Sequence, residues 1–221
     1  MNCSILHLTE TGGQGGAEQV MISVLDGLAA RGCAGIAVAS REGWVTSAAR
    51  RLGHHAYALP SRGAFDPAYA YKLARLVRRH SCDLIIAHMY GAATYAAMVG
   101  AVVRVPVIGV LHGHSDVPVN DRHRLLRRAL FRVGLSHLVF VSEQLREALM
   151  PKIGITRDLT SVISNGVDFS RFTNASQLKL RRELQLTDEA VIVGSVGNFR
   201  KAKDYPTLLR AARLVVNNNA R

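Results

Sequence analysis

The chain has 221 residues, of which 48% are hydrophobic, and its 28 Lys and Arg outnumber 16 Asp and Glu to give a net charge of +12. This length and hydrophobic content suffice for a sizeable core and exclude a disordered protein. No run approaches the roughly 18 apolar residues of a membrane span, and no basic and apolar leader opens the sequence. We therefore expect a cytoplasmic protein with anionic partners, such as phosphorylated substrates, acidic lipid or nucleic acid.

The three cysteines, Cys3, Cys33 and Cys82, form no C-x-x-C pair and are odd in number. That pattern is typical of reduced thiols in a cytosolic compartment rather than of a disulfide framework. We expect them to be small core residues.

The first elements are a strand predicted at residues 3–8 and a helix at 17–31, with the stretch TETGGQGGAEQV across their junction. Glycines lack a Cβ, so the main chain can approach a ligand closely, and the following helix N-terminus favours an anion. Phosphate is the expected ligand, although a tight turn that binds nothing stays open. Glu18 replaces the third small residue of a dinucleotide fingerprint, and no Gly-Lys-Ser/Thr ending follows.

Strand-like and helix-like segments then alternate, which predicts an α/β fold with a doubly wound parallel Rossmann-like sheet. The strands are predicted at 35–40, 55–59, 83–88, 107–112, 137–142 and 159–164, and the helices at 66–80, 92–103, 122–135 and 142–150. Ligands bind such a sheet at the carboxyl ends of its strands. The glycine loop, His88, His112 and Ser142 all fall at those ends.

Residues 122–133, RHRLLRRALFRV, combine an apolar face with arginines elsewhere on the helix. This pattern is typical of an ordinary solvated helix in an α/β domain. It also fits a peripheral helix on an anionic membrane, which would suit a lipid-linked acceptor.

The character of the sequence changes after residue 164. We expect a first domain over 1–164, an interdomain linker over 165–189, and the start of a second domain over 190–221. In that last part AVIVGSVGNF predicts a buried strand at 190–199, followed by a helix at 205–216. A lone strand and helix cannot bury both their faces, so we expect the second domain to be incomplete.

Five segments in order, GGAEQVMISVLDGLAARG, GVLHGH, VFVSEQLREAL, VISNGVDFSRF and VGNFRKAKDYPTLLRAA, together resemble a glycosyltransferase. The resemblance is to the retaining, nucleotide-sugar-dependent enzymes with the GT-B fold, of the group 1 or family 4 kind. It implies two Rossmann-like domains, with the acceptor bound mainly by the first and the nucleotide sugar mainly by the second. The implied reaction transfers a hexose from a nucleotide diphosphate sugar to a hydroxyl, with retention, in polysaccharide or glycolipid biosynthesis for the cell envelope. It implies no bound metal or other cofactor.

The resemblance implies roles for three catalytic residues. His112 ends a strand and would contact the transferring sugar or an acceptor hydroxyl. Lys203 matches the family's basic residue that neutralises the leaving diphosphate. The family's arginine directly follows the glycine at Gly197, where this chain has Asn198, so Arg200 would supply the guanidinium instead.

Binding roles follow in the same way. Gly15 and Gly16 would contact phosphate or sugar through their backbone, and Gly12 and Gly13 would shape the loop. Glu18 belongs to the GGAE motif, which implies a role in binding. The alternative is that its carboxylate only stabilises the dipole of its own helix.

His114 would help to bind substrate. The spacing of His112, His114 and Asp116 also fits a metal-dependent hydrolase, although Val117 follows instead of another ligand.

Asn165, Gly166 and Asp168 match the family's interdomain motif. We expect a positive φ at Gly166 and a linker fixed by Asp168.

Two other classes stay open. A basic nucleic-acid-binding module would use the same charge, but the 6% aromatic residues are not interleaved with the basic ones. The second class is an inactive truncated remnant of a transferase. The resemblance suggests it, because no segment here matches the one that holds the donor's ribose and sugar in the family.

Overall fold

The computed structural model describes residues 3–169, 177–187, 189–197, 199 and 201–218. The chain divides into two compact units, Met1–Val167 and Asp168–Arg221. The first unit contains the sheet.

Seven parallel strands form the sheet of the first unit, in the spatial order β3-β2-β1-β4-β5-β6-β7. They are β1 (Cys3–Thr9), β2 (Cys33–Ala39), β3 (His55–Ala58), β4 (Leu84–His88), β5 (Val107–Leu111), β6 (His137–Phe140) and β7 (Thr160–Val162). The chain order reverses beside β1, whose neighbours are β2 and β4. The carboxyl ends of β1 and β4 therefore border the crevice where open α/β sheets bind ligands.

Six helices cover the two faces of this sheet, which confirms the predicted doubly wound fold. They are α1 (Gly16–Ala29), α2 (Trp44–Arg51), α3 (Pro67–Arg79), α4 (Tyr90–Val103), α5 (Arg124–Gly134) and α6 (Glu143–Ile153). Alternate residues of β2 face opposite layers. Ala37 and Ala39 pack with residues of α1 and α2, whereas Ile36 and Val38 belong to the larger core under α3 to α6.

Two of the predicted helices begin with a side-chain cap. The Asp66 carboxylate accepts hydrogen bonds from the backbone N–H groups of Ala68 and Tyr69 at the start of α3. The Ser142 hydroxyl accepts one from the N–H of Leu145 at the start of α6. These side chains satisfy donors that the first helical turn leaves unpaired.

The expectation of reduced cysteines is wrong for two of the three. Cys3 and Cys33 are register partners on the parallel strands β1 and β2, with Cα atoms 4.6 Å apart, and they form a disulfide. Cys82 is a buried free thiol. Spacing along the chain could not reveal the pair, because strand register brings the two residues together across 30 positions.

Most of the apolar face that the sequence shows for α5 does not pack against the core, although the helix does so through Phe131. Leu125 and Val133 are 76% and 79% exposed, whereas Arg127 and Phe131 are buried. Arg127 turns inward because its Nη1 donates to the Thr94 hydroxyl at 3.1 Å and its Nε lies 3.3 Å from the Asp121 carboxylate.

The second unit contains two α-helices in its described residues, α7 (Gln177–Glu183) and α8 (Tyr205–Asn218), the second of which confirms the helix predicted at 205–216. The strand predicted over 190–199 is wrong: residues 189–197 and 199 have no strand structure, and Val191, Val193 and Val196 are exposed. A strand needs a hydrogen-bonded neighbour, and the described part of this unit offers none.

Candidate functional site

The glycine loop follows β1, and its four glycines have two kinds of surroundings. A Cβ on Gly12 would lie 2.6 Å from the carbonyl oxygen of Arg41, and one on Gly15 would clash with the Glu18 carboxylate. Gly13 and Gly16 have open space where a Cβ would be. The packing of the backbone therefore requires glycine at Gly12, whereas a Cβ on Gly15 would displace the Glu18 carboxylate, and Gly13 and Gly16 leave room for a ligand.

Glu18 lies in the first turn of α1 and is buried. Its carboxylate accepts a hydrogen bond from the Thr11 hydroxyl, which closes the glycine loop over it. The position is compatible with the helix dipole. Burial lowers the pKa of His112, and the Glu18 carboxylate is close enough to oppose that effect in part.

His112 follows β5 directly and is half-buried at the carboxyl end of the sheet. Asp116 fixes the turn after it, because its Oδ2 accepts hydrogen bonds from the backbone N–H groups of His112 (2.7 Å) and Gly113 (3.2 Å). Burial lowers the pKa of His112, and the carboxylates of Asp116 and Glu18 oppose that effect in part. The imidazole is therefore neutral at pH 7.

His88, the last residue of β4, pairs with His112. The distance from His88 Nδ1 to His112 Nε2 is 3.0 Å, and the two rings are stacked with centroids 5.2 Å apart. Burial lowers the pKa of His88 well below its usual value, and the neighbouring His112 and His7 lower it further. The strand-end position of His88 was visible in the sequence, but its contact with His112 depends on the register of β4 and β5.

Met89, which follows His88, has φ 75° and ψ 161°, a region of backbone conformation populated almost entirely by glycine. Its N–H donates to the carbonyl of Val110, which holds the turn between β4 and α4. Backbone strain of this kind clusters at functional sites. Here it lies between two side chains of the crevice, His88 and Tyr90.

Sequence reasoning missed a cavity of about 290 Å³ that contains several ionisable side chains at the carboxyl end of β1. Glu10, Tyr95, Asp116 and Arg127 are among its lining residues. Desolvation of its carboxyl raises the pKa of Glu10, and Asp116 raises it further. The only sequence signal was that Glu10 directly follows a buried strand, and nothing in the helical pattern marked Arg127 as inward-facing.

The other predicted site residues lie apart from this cluster or in the second unit. His114 is exposed on a short 3-10 helix, His114–Asp116. Lys203 is exposed on the 3-10 helix Lys201–Lys203 of the second unit. Arg200 lies outside the described residues.

The interdomain motif differs from expectation at one position. Gly166 does not have the predicted positive φ, and nothing lies within 4 Å of where its Cβ would be. Neither a left-handed turn nor a close approach therefore requires glycine here. Asn165 and Gly166 instead line a mostly apolar cavity beside β4, β5 and β6, and Asp168 begins the second unit.

A metal centre has no support in this geometry. Across the residues that the structure describes, no group of three or more His, Cys, Asp or Glu side chains could hold an ion. The Asp116 carboxylate of the HGHSD segment bonds backbone N–H groups instead.

Comparison with known proteins identifies the family. Residues 14–171 match Glycosyltransferase Family 4, so the match includes Gly15 and Gly16, both histidines and the strands β2 to β7. The chain belongs to glycosyltransferase family 4. The comparison with curated proteins found no match to this chain.

Solved structures of glycosyltransferases share the fold. A glycosyltransferase from Rickettsia africae has a TM-score of 0.82 at 16% identity, over 100% of this chain and 58% of its own. HepE from Anabaena, solved with UDP-glucose, has a TM-score of 0.68 at 21% identity, over 82% of this chain and 50% of its own. This family 4 chain thus spans about half the length of these relatives.

As for membranes, none of the helices in the described residues has the length and apolar character needed to cross a bilayer.

Proposed function

We propose that this family 4 chain acts in a glycosyltransferase that moves a hexose from a nucleotide diphosphate sugar to a hydroxyl acceptor, with retention of configuration. The observation that carries the proposal is the convergence of the open glycine loop, Glu18 and His112 at the carboxyl ends of β1 and β5. That edge of the sheet is where the fold binds ligands. The structure of HepE with UDP-glucose supports a uridine diphosphate sugar as the donor.

The loop is better matched to the sugar than to the diphosphate. The Glu18 carboxylate lies against Gly15, so a phosphate there would meet a negative charge, whereas a sugar hydroxyl can donate to it. The open backbone at Gly13 and Gly16 admits the ring. His112 would hydrogen-bond either the transferring sugar or the acceptor hydroxyl.

Charge on the departing diphosphate needs cations, which the family resemblance assigns to Lys203 and, in place of the usual arginine, Arg200. As the glycosidic bond breaks, negative charge collects on the phosphate oxygens, and fixed cations stabilise it without reorganising. We propose that these side chains, rather than a resident metal or cofactor, have this task.

The test is sugar transfer by the enzyme that contains this chain, measured as release of UDP from UDP-glucose. His112→Ala should lower kcat severely while changing the free energy of unfolding by no more than about 1–2 kcal/mol, since the side chain is half-buried at a strand end. His137→Ala, at the opposite end of the sheet, is the matched control. Undiminished turnover in His112→Ala would contradict the proposal.

A matched lysine pair tests the second unit. Lys203→Ala should reduce turnover more than Lys201→Ala, because the motif directs the former to the leaving diphosphate; loss of such a contact raises the barrier by roughly 3 kcal/mol. Equal effects would indicate diffuse electrostatics instead of a positioned cation.

The acceptor is proposed to be lipid-linked and reached from an anionic membrane surface during assembly of an envelope polysaccharide or glycolipid. The support is a surface patch of the first unit that joins exposed apolar and basic side chains: Val119, Arg122, Arg124, Leu125 and Leu126. Such a combination is typical of peripheral membrane contact. The net charge of +12 favours the same surface.

A further inference from the structure

The cavity at the carboxyl end of β1, the Glu10 cavity, is lined by two accessible carboxylates. Glu10 follows β1 directly and is exposed, and Asp116 is half-buried. Asp116 binds the turn after β5 through Oδ2, so its Oδ1 has no hydrogen bond among the described residues. Ser40 and Ser61 also line the cavity, and their hydroxyls have no hydrogen-bond partner in the described structure. The cavity therefore offers several polar groups to a ligand.

Glu10 is held in place at the start of α4. Its carboxylate accepts hydrogen bonds from the backbone N–H groups of Gly91 and Ala92. A Cβ on Gly91 would clash with Glu10 Oε2, so glycine at this position permits the close approach. The N–H groups of a first helical turn favour the ionised form of a carboxylate. Glu10 is thus an oriented acceptor whose remaining surface is open to a ligand.

Arg127 is the basic residue in the lining of the Glu10 cavity, but its charge is already paired. The residue is only 8% exposed, and its fully buried Nε lies 3.3 Å from the Asp121 carboxylate. Its Nη1 donates to the Thr94 hydroxyl, and the guanidinium lies 4.9 Å from the centre of the Tyr90 ring. An acidic ligand would therefore meet two carboxylates without a free counter-ion, whereas the hydroxyls of an uncharged ligand can donate to both.

The Glu10 cavity adjoins a larger groove of about 810 Å³, and the two share Tyr90 and Pro118. The lining of this groove includes the whole apolar and basic patch described above: Val119, Arg122, Arg124, Leu125 and Leu126. A molecule with a sugar at one end and a lipid phosphate at the other would match both surfaces. Its sugar would occupy the polar cavity, and its lipid part would lie along the groove.

Asp116 connects the Glu10 cavity to His112. It lines the cavity, and its Oδ2 accepts a hydrogen bond from the backbone N–H of His112 at 2.7 Å. A sugar in the cavity would therefore lie beside the histidine that we assign to the reacting sugar or hydroxyl. This position suits the acceptor.

We propose that the Glu10 cavity binds the terminal sugar of the acceptor and that Glu10 selects an uncharged sugar against an acidic one. Glu10 accepts a hydrogen bond from a hydroxyl of that sugar, and a carboxylate on the ring would be repelled. The volume of about 290 Å³ is near the lower limit of ligand pockets, which suits a single sugar ring. That the ligand is an acceptor rests on the proposed function, whereas the preference for an uncharged sugar rests on the cavity itself.

Two alkyl glycosides test this selectivity in the nitrogen-15-labelled 221-residue chain, without sugar transfer. Octyl glucoside has an uncharged sugar, and octyl glucuronide has a carboxylate in place of the C6 hydroxymethyl group. Below its micelle-forming concentration, octyl glucoside should shift the backbone amide signals of Gly91 and Ala92, which donate to Glu10. Octyl glucuronide should bind about tenfold more weakly by the same signals, because its charge is repelled.

Glu10→Gln keeps an oxygen that can accept from Gly91 and Ala92 but removes the negative charge. This variant should lose most of the tenfold preference, a change that a purely structural role of Glu10 would not cause. Glu147→Gln is the matched control, since Glu147 is exposed on α6 and does not line the cavity. It should keep the wild-type preference.

Equal or tighter binding of octyl glucuronide to the wild-type chain would overturn the proposal. So would amide signals of Gly91 and Ala92 that do not respond to octyl glucoside, or an unchanged preference in a folded Glu10→Gln variant. If that variant does not fold, the comparison of the two glycosides on the wild-type chain decides the matter.

The two proposals can fail separately. Selective binding of octyl glucoside together with full turnover in His112→Ala would contradict the proposed function and leave the sugar site established. Impaired turnover in His112→Ala without any preference between the glycosides would leave the transferase in place, with its acceptor bound elsewhere.

Discussion

His7 lies in the middle strand β1 with its side chain fully buried and neither ring nitrogen hydrogen-bonded in the described structure. Burial lowers the pKa of His7 to about 3, and the charge of His54 adds to the effect. The imidazole is therefore neutral in the folded chain and titrates near 6.5 when the chain unfolds.

This difference predicts a pH-dependent stability. Between pH 6.5 and about 3 the unfolded state binds the extra proton, so stability falls as the pH falls, by up to about 1.4 kcal/mol per unit for this group. His7→Leu should remove that part of the slope and gain about 2 kcal/mol relative to wild type at pH 5. Urea unfolding of both proteins at pH 7.5, 6 and 5 measures the free energy of unfolding and its dependence on pH.

The control is His114→Gln, which removes an exposed histidine. This variant should show the same change of unfolding free energy with pH as the wild type. Parallel pH profiles for wild type and His7→Leu would show that His7 is protonated in the folded chain or solvated there.

Sequence reasoning found His112 at this scale because a histidine directly after an apolar strand must fall at the ligand edge of a parallel sheet. It could not find the His88 contact or the inward turn of Arg127. The first depends on the register of β4 and β5, which places His88 opposite Val110, next to His112. The second depends on the Thr94 side chain, 33 positions away, as well as on Asp121. The positive φ expected at Gly166 failed because a glycine in a turn-rich segment does not by itself show that its conformation is needed.

At the scale of elements, all seven strands of the sheet were predicted, because buried parallel strands are short apolar runs between helical patterns. Helix α2, WVTSAARR, was missed since it is short and its apolar residues do not extend over two turns. The strand predicted over 190–199 failed for lack of a neighbour to pair with. The local sequence pattern thus predicted where most strands and helices form. It did not predict which neighbouring strand each one pairs with.

The inverted face of α5 leads to a prediction about membranes. Because Arg127 is held inward, Leu125 and Leu126 are exposed beside Arg122 and Arg124. The chain should sediment with phosphatidylglycerol vesicles more than with phosphatidylcholine vesicles, and more weakly as salt rises. Leu125→Gln with Leu126→Gln should reduce the bound fraction severalfold, because the apolar contribution is lost.

Val102→Gln is the matched control, since Val102 is 70% exposed on α4, outside that patch. It should bind vesicles as the wild type does. Equal binding by the double variant and the wild type would refute the membrane patch on α5.

At the scale of the whole molecule, the first unit contains the complete sheet together with His7, His88 and His112. The second unit contains Lys203 on a short exposed 3-10 helix. The chain spans half the length of HepE. The central question is therefore which part of the sugar nucleotide this half binds. If the first unit contacts the sugar and not the diphosphate, a sugar nucleotide and a free nucleotide must affect it differently.

Titration of the nitrogen-15-labelled chain with UDP-glucose tests this account most directly, with UDP in parallel. We predict that UDP-glucose shifts the backbone amide signals of Gly13 and Gly16 and the ring signals of His112, and that UDP shifts them much less. His112→Ala should weaken the response of the loop. If UDP-glucose leaves the loop signals unchanged, or if UDP alone moves them equally, the first unit does not bind the sugar at this site.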